Sequence, residues 1–318
     1  MPVKKGVKCR VSGRASCIIF SLKVEGLFPV LVTFLDIAIG GLITGGIYAL
    51  IAVGLSLQYG VGRVLNVSHG EFIMVGAFAG WSLYTIWGIS PLVSLVICSP
   101  IFFLIGFFVH ITLFRYLRSR SKSVEAFIDS SLLVSFGLLF IVQNIALITW
   151  KADIRGYSYW DTSVTILEAV FSLNRLVALF FAVAMSGAFY LFLTHSRVGK
   201  AIRASAEDPV TAQVMGVNIN RVLGICFGLG ALMAGFSGIL ISMIYEIQPN
   251  MGLEYTLIAI IVVALGGLGS ITGSLIGGFI LGLIGNIVTY VDPGLSLVAY
   301  YMIFILVLLV RPKGIFGK

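Results

Sequence analysis

Four residues in an otherwise oily chain have types and spacing that could do chemistry together: Asn66, His69, Gly70 and Glu71, in the run NVSHGE. An amide, an imidazole and a carboxylate could line a polar route or act as a gate. The same run also has a structural reading. Asn66 or Ser68 could cap the helix that follows, with Glu71 in its first turn favoured by the helix dipole. The two readings stay open, and one residue can serve both. No metal site is expected, because His69, His110 and His195 are isolated in sequence.

A second polar stretch covers 196–221, SRVGKAIRASAEDPVTAQVMGVNINR, with apolar runs on both sides. A charge at the centre of a membrane-crossing helix costs about 2.5–3.5 kcal/mol, so this stretch belongs in a loop on one membrane face. Its Arg and Lys content makes that face cytoplasmic. Inside it one short helix is predicted. Asp208 is the N-cap, Pro209 the first helical position, 210–215 the body and Gly216 a left-handed terminator. Val210, Val214 and Met215 give it an apolar edge, and Ala212 is a small residue. A short capped helix of this kind suits docking into another protein's groove.

The elements that must position these residues are membrane helices. The chain has 318 residues, 59% hydrophobic and 11% charged, where soluble proteins carry about 25% charged residues. The net charge of +8 does not point to nucleic acid, because the basic residues cluster between apolar runs as the positive-inside rule requires. Cys9, Cys17, Cys98 and Cys226 lack metal or redox spacing, and the last two read as small hydrophobes. Apolar spans are predicted at 34–59, 72–89, 91–114, 127–149, 176–194, 222–244 and 295–310. The run 256–290 would measure roughly 52 Å as one helix, against a hydrocarbon core of about 30 Å. It must therefore break, and the glycine-rich 266–274 is the place. The piece 256–265 is then a half-helix beside an irregular turn. The break also puts the basic tail RPKGIFGK on the cytoplasmic side. The expected fold is all-α and polytopic, with about eight to nine transmembrane helices including the half-helix. Residues 1–32 read as a basic N-terminal extension whose true start could lie near 24–27. The span count puts that arm outside, against its charge. The outer loop 151–174 is expected to hold a short interfacial helix at 164–173.

Four blocks in order carry a resemblance: NVSHGE, the 196–221 loop, ALGGLGSITGS and the closing LVLLVRPKGIFG. The chain resembles the branched-chain amino-acid (Liv-type) permeases of ABC importers from about residue 34 to residue 317. The resemblance implies a permease domain at 33–318, with a coupling loop at 196–221 in which Glu207, Asp208, Pro209, Ala212 and Gly216 meet an ATPase. It implies a substrate pathway or gate at Asn66, His69, Gly70, Glu71, Gly266, Gly267 and Gly269. The implied partners are two cytoplasmic ABC ATPases, a second related permease or a second copy of this chain, and an external substrate-binding protein. The implied setting is the lipid of a prokaryotic cytoplasmic membrane, with the C-terminus inside. The implied cargo is branched-chain or related small amino acids.

No cofactor is expected in this chain, and ATP would be bound by the partner. The sequence has no GxxxxGK[ST] loop, since Gly199-Lys200 is followed by Ala201. The alternative function is an ion-coupled secondary transporter. Asp36 and Glu71, its candidate carboxylates, read as lying near span ends, with no acidic residue mid-span. An enzyme is not expected, for want of a convergent His/Asp/Ser cluster.

Overall fold

The computed structural model describes the backbone of residues 14–166 and 169–316. Long apolar runs form helices because only a helix satisfies its own backbone in lipid. In order these are α1 (Arg14–Gly62), α2 (His69–Trp87), α3 (Pro91–Val109), α4 (Arg115–Arg120), α5 (Val124–Trp150), α6 (Leu173–His195), α7 (Arg197–Glu207), α8 (Pro209–Val214), α9 (Ile219–Ser242), α10 (Met251–Gly266), α11 (Ile271–Val291) and α12 (Ser296–Val310). A π turn over His110–Phe114 joins α3 to α4. Of the basic 1–32 stretch, residues 1–13 lie outside the described residues, and α1 is already helical from Arg14.

Seven helical segments among the described residues are long and apolar enough to cross a membrane. With the less apolar α2 and the shorter α10 they give the polytopic all-α architecture expected. Helix α9 is central, with 83% of its most apolar window buried, whereas the segment Pro293–Val310 is 6% buried. Around α9 pack α1, α2 and α3, and α11 lies along α1. The outward faces of α3, α5, α6 and α12 keep large apolar side chains exposed, among them Leu133, Ile148, Phe180 and Leu309, as lipid-facing helices do.

Three expectations are corrected. The outer loop holds no interfacial helix at 164–173. Ser163–Ile166 and Ala169–Ser172 pair as an antiparallel hairpin, with Val164 opposite Phe171. The β-branched Val164, Thr165, Ile166 and Val170 favour that pairing. The 196–221 loop holds two helices instead of one. Ser196 caps α7 by accepting from Gly199 N at 2.8 Å, and the Ala-rich 201–206 then propagates it. The third correction concerns α2, which does not begin at a membrane face.

The break at 266–274 is where length required it. Helix α10 has 16 residues, roughly 24 Å at 1.5 Å per residue. It stops at Gly267, and Gly267 and Gly269 both have positive φ. Ser270 then caps α11 by accepting from Gly273 N.

Candidate functional site

Helix α1 ends at Gly62, and exposed Arg63 turns the chain at φ +55°. Residues 64–68 then run back into the bundle instead of along its surface. Val64 is buried with Phe114, Phe127 and Phe227. His69 Nε2 donates to the Ile51 carbonyl at 3.2 Å. Ile51 lies eleven residues before Gly62 on α1, roughly 16 Å along its axis. So α2 starts deep inside, and residues 66–71 are buried throughout.

Irregular backbone at such depth is tolerated only where protein groups satisfy it, and here several helices contribute. Ser135 on α5 accepts from Val67 N at 3.3 Å and donates to the Leu65 carbonyl at 3.4 Å. Thr256 on α10 accepts from Gly70 N at 2.8 Å and donates to the Val67 carbonyl at 3.0 Å. Asn66 organises the turn itself. Its Oδ1 accepts from Ser68 N at 3.2 Å and from Ser68 Oγ at 2.6 Å, and its Nδ2 donates to Gln58 Oε1 at 3.1 Å. Ser68 sits at the N-cap of α2, yet its hydroxyl serves Asn66 and makes no capping bond.

Gly70 and Gly252 bring α2 and α10 into direct backbone contact. A Cβ at Gly70 would overlap the Gly252 carbonyl oxygen and Thr256 Oγ1. A Cβ at Gly252 would overlap the Glu71 carboxylate, which lies against it. Glu71 is fully buried, and neither of its oxygens has a hydrogen-bond partner among the described residues. His69 Nδ1 and Gln58 Nε2 are likewise buried without partners. With Nε2 donating to Ile51, Nδ1 is the ring nitrogen left open. Buried polar atoms left open in this way are where a polar solute, water or ion would be held. The expectation that no carboxylate sits mid-span is therefore corrected. Glu71 follows the re-entrant turn and lies inside, because that turn carries it back alongside α1.

Gly266, Gly267 and Gly269 do not join this cluster. They sit at the other end of α10, where Gly269 packs on Gly60 of α1 and Gly314 packs on Gly267. The tail closes that turn. Ile315 N donates to the Leu265 carbonyl at 2.8 Å, and Phe316 N to the Gly266 carbonyl at 3.2 Å. These bonds satisfy two carbonyls that the end of α10 leaves open. Two blocks far apart in sequence are thus one structural unit.

The third group, in α7 and α8, lies at the same end as Arg63, α4 and the tail. Asp208 caps α8, accepting from Val210 N at 2.9 Å, from Thr211 N at 3.2 Å and from the Thr211 hydroxyl. The hydroxyl bond from Thr211, and then the backbone bonds, hold the Asp208 carboxyl below its ordinary range. Gly216 follows at φ +87°. Ala212 is buried toward the protein, while Val210, Val214 and Met215 are 72, 82 and 79% exposed. Glu207 ends α7 on the surface.

The residues missed at sequence level are Gln58, Ser135, Gly252 and Thr256. Each is a polar or small residue within an apolar helix, which is the signal that could have marked them. Among the described residues no group of three His, Cys, Asp or Glu side chains could hold a metal.

Residues 37–310 match the family model described as branched-chain amino acid transport system / permease component. The chain is 30% identical over 308 residues to the high-affinity branched-chain amino acid transport system permease protein LivH of Salmonella typhimurium, covering 90% of this chain and 96% of the relative. It is 30% identical over 312 residues to BraD, the corresponding permease protein of Pseudomonas aeruginosa, covering 91% and 98%. It is 28% identical over 295 residues to a probable LivH permease of Methanocaldococcus jannaschii, covering 87% and 91%. The match runs through the re-entrant turn, the capped α8 and the glycine turn alike, and the chain belongs to the family of branched-chain amino acid transport system permease components.

Proposed function

We propose that this chain is the membrane subunit of a binding-protein-dependent ABC importer that moves branched-chain or related small amino acids inward. The observation that carries the reading is α8, a capped helix at the basic end whose apolar Val210, Val214 and Met215 face outward with none of the described residues upon them. Two cytoplasmic ATPases would each receive such an edge, one from each permease of a pair, with Glu207, Asp208, Pro209, Ala212 and Gly216 forming the coupling element. The second permease is a related chain or another copy of this one. An external binding protein would deliver the cargo. The basic end, with the C-terminus, is cytoplasmic in the inner membrane. The alternating-access gate is the re-entrant turn of Asn66, His69, Gly70 and Glu71, and the glycine turn at Gly266, Gly267 and Gly269 is the hinge below it.

The test is affinity purification of the full chain in mild detergent, followed by reconstitution with the captured partners. An ATPase in the eluate, and uptake of amino acid that requires ATP, support the reading. A chain that purifies without an ATPase and still transports defeats it. One observation favours a second reading. The buried, unpartnered Glu71 carboxylate is what an ion-coupled transporter would use. Uptake that follows a proton or sodium gradient without ATP, and is lost in Glu71→Gln, would establish that alternative.

A further inference from the structure

The basic end also holds a cavity of about 570 Å³, between the last turns of α1, the end of α6, one face of α7 and the glycine turn. Its size is within the range of small-molecule sites. Leu57, Val61, Leu193 and Ile202 give it aliphatic walls. Arg203 and Glu207 line the same cavity from one face of α7, four residues apart. They do not pair with each other: the one salt bridge among the described residues is Arg155–Asp153. Arg203 instead donates to the Thr194 carbonyl at 3.3 Å, which leaves most of its guanidinium donors open. Ser56 on α1 also lines the cavity, and its fully buried hydroxyl has no partner among the described residues.

One cation, one anion and an open hydroxyl above aliphatic walls are the complement of a zwitterion with a branched apolar side chain. We propose that this cavity binds a free aliphatic α-amino acid, Arg203 taking the carboxylate and Glu207 the ammonium. The choice of ligand rests on the transport function proposed above. The cavity at the opposite end, about 300 Å³ and lined by Tyr48, Tyr255, Tyr300 and Glu254, has no basic side chain in its lining and does not offer this match. An occupant of the larger cavity touches α7, which runs directly into Asp208 and α8. The bound amino acid would therefore sit one helix away from the exposed docking edge, on the product side of the membrane.

The full chain in lipid nanodiscs is titrated with tritiated L-leucine at equilibrium. Saturable binding is expected. Isoamylamine and 4-methylpentanoate, which each lack one of the two charges, should compete about tenfold less well than unlabelled leucine. Arg203→Gln should weaken leucine about tenfold and erase the disadvantage of isoamylamine. Glu207→Gln should do the same for 4-methylpentanoate. Such a switch in discrimination is not produced by a general loss of folding. No saturable leucine binding, or two variants with unchanged affinity and unchanged discrimination, overturns the site. Uptake by the reconstituted complex is measured in parallel. ATP-driven uptake without equilibrium binding removes the site alone. Binding without ATP-dependent uptake keeps the site and removes the importer.

Discussion

Two polar stretches interrupt the same oily chain, and the fold treats them in opposite ways. From Asn66 to Glu71 every residue is buried, and the stretch is held by groups on α1, α5 and α10. From Val210 to Met215 only Ala212 is buried and the larger apolar Val210, Val214 and Met215 are exposed, and the polar cap of Asp208 bonds only to residues two and three positions on. Polarity in the sequence thus says that a stretch leaves the regular apolar pattern, and not in which direction it leaves. The reach of its hydrogen bonds distinguishes the two. Thr256 reaches Gly70 across 186 residues, whereas Asp208 serves only its own helix.

The largest effect should come from Gly70→Val. The added side chain would meet the Gly252 backbone, which cannot swing aside. Overpacking of this kind costs about 3 kcal/mol or more. The variant should fail to purify as a monodisperse chain, or should unfold far below the parent in a thermal ramp. A parent-like melting curve would mean that α2 and α10 are not in contact and that the re-entrant turn is misplaced. Next come Thr256→Val and Asn66→Ala. Each leaves buried backbone or amide groups without partners, at about 1–3 kcal/mol. If both variants melt like the parent, water reaches this turn, and the buried half of the contrast fails.

The exposed half predicts less. No atom of the described residues lies within 4 Å of a Cβ at Gly216, so Gly216→Val meets no clash among them. Only its φ of +87° is unfavourable, at about 1–2 kcal/mol for an L residue. The damage should stay local, with faster hydrogen exchange in α8 and an unchanged melting temperature for the spans. Loss of the whole fold would show that α8 is tied to the bundle more tightly than its exposure implies. The pH dependence has a definite sign. The carboxyl of Asp208 is held below its ordinary range, so its contribution to α8 is present above the unfolded carboxylate pKa. It fades only as pH falls through the lower folded value. Exchange protection of α8 should therefore be flat between about pH 6 and 8, well above the ordinary carboxylate range, and fall under acid.

How much of this was legible follows from the range of each interaction. The cap, Pro209 and Gly216 obey rules that span only a few residues, so α8 could be read off the sequence almost to its bounds. The break near Gly267 was legible for another reason, since an overlong apolar run must stop somewhere and glycines mark the place. The depth of Glu71 was not legible. It depends on Ser135, Gly252 and Thr256, whose places beside the turn are decided by how α5 and α10 pack. The same holds for the tail, whose bonds to the end of α10 join residues about fifty positions apart. Helix α7 is a different case. Ser196 and the following alanines carried a local signal, but the density of charge there made the stretch look like plain loop. The hairpin over Ser163–Ile166 and Ala169–Ser172 was misread because a short apolar run can be helix or strand, and here β-branched residues decide.

The smallest effect on stability is the one that bears most directly on function. Replacing Val210, Val214 and Met215 together with serine removes apolar surface that none of the described residues covers. Surface changes of this type shift stability by about 0.5 kcal/mol or less, so the purified triple variant should melt with the parent. Buried against a partner's groove, the same three side chains would each contribute roughly 1.5–3 kcal/mol through the hydrophobic effect. An intact melting curve with loss of ATPase co-purification would then separate folding from association at one helix. Retained co-purification would show that the partner is held elsewhere on the basic end. In that case the exposed apolar edge of α8 would no longer count as the coupling element, and α7 with Glu207 would be the next surface to probe.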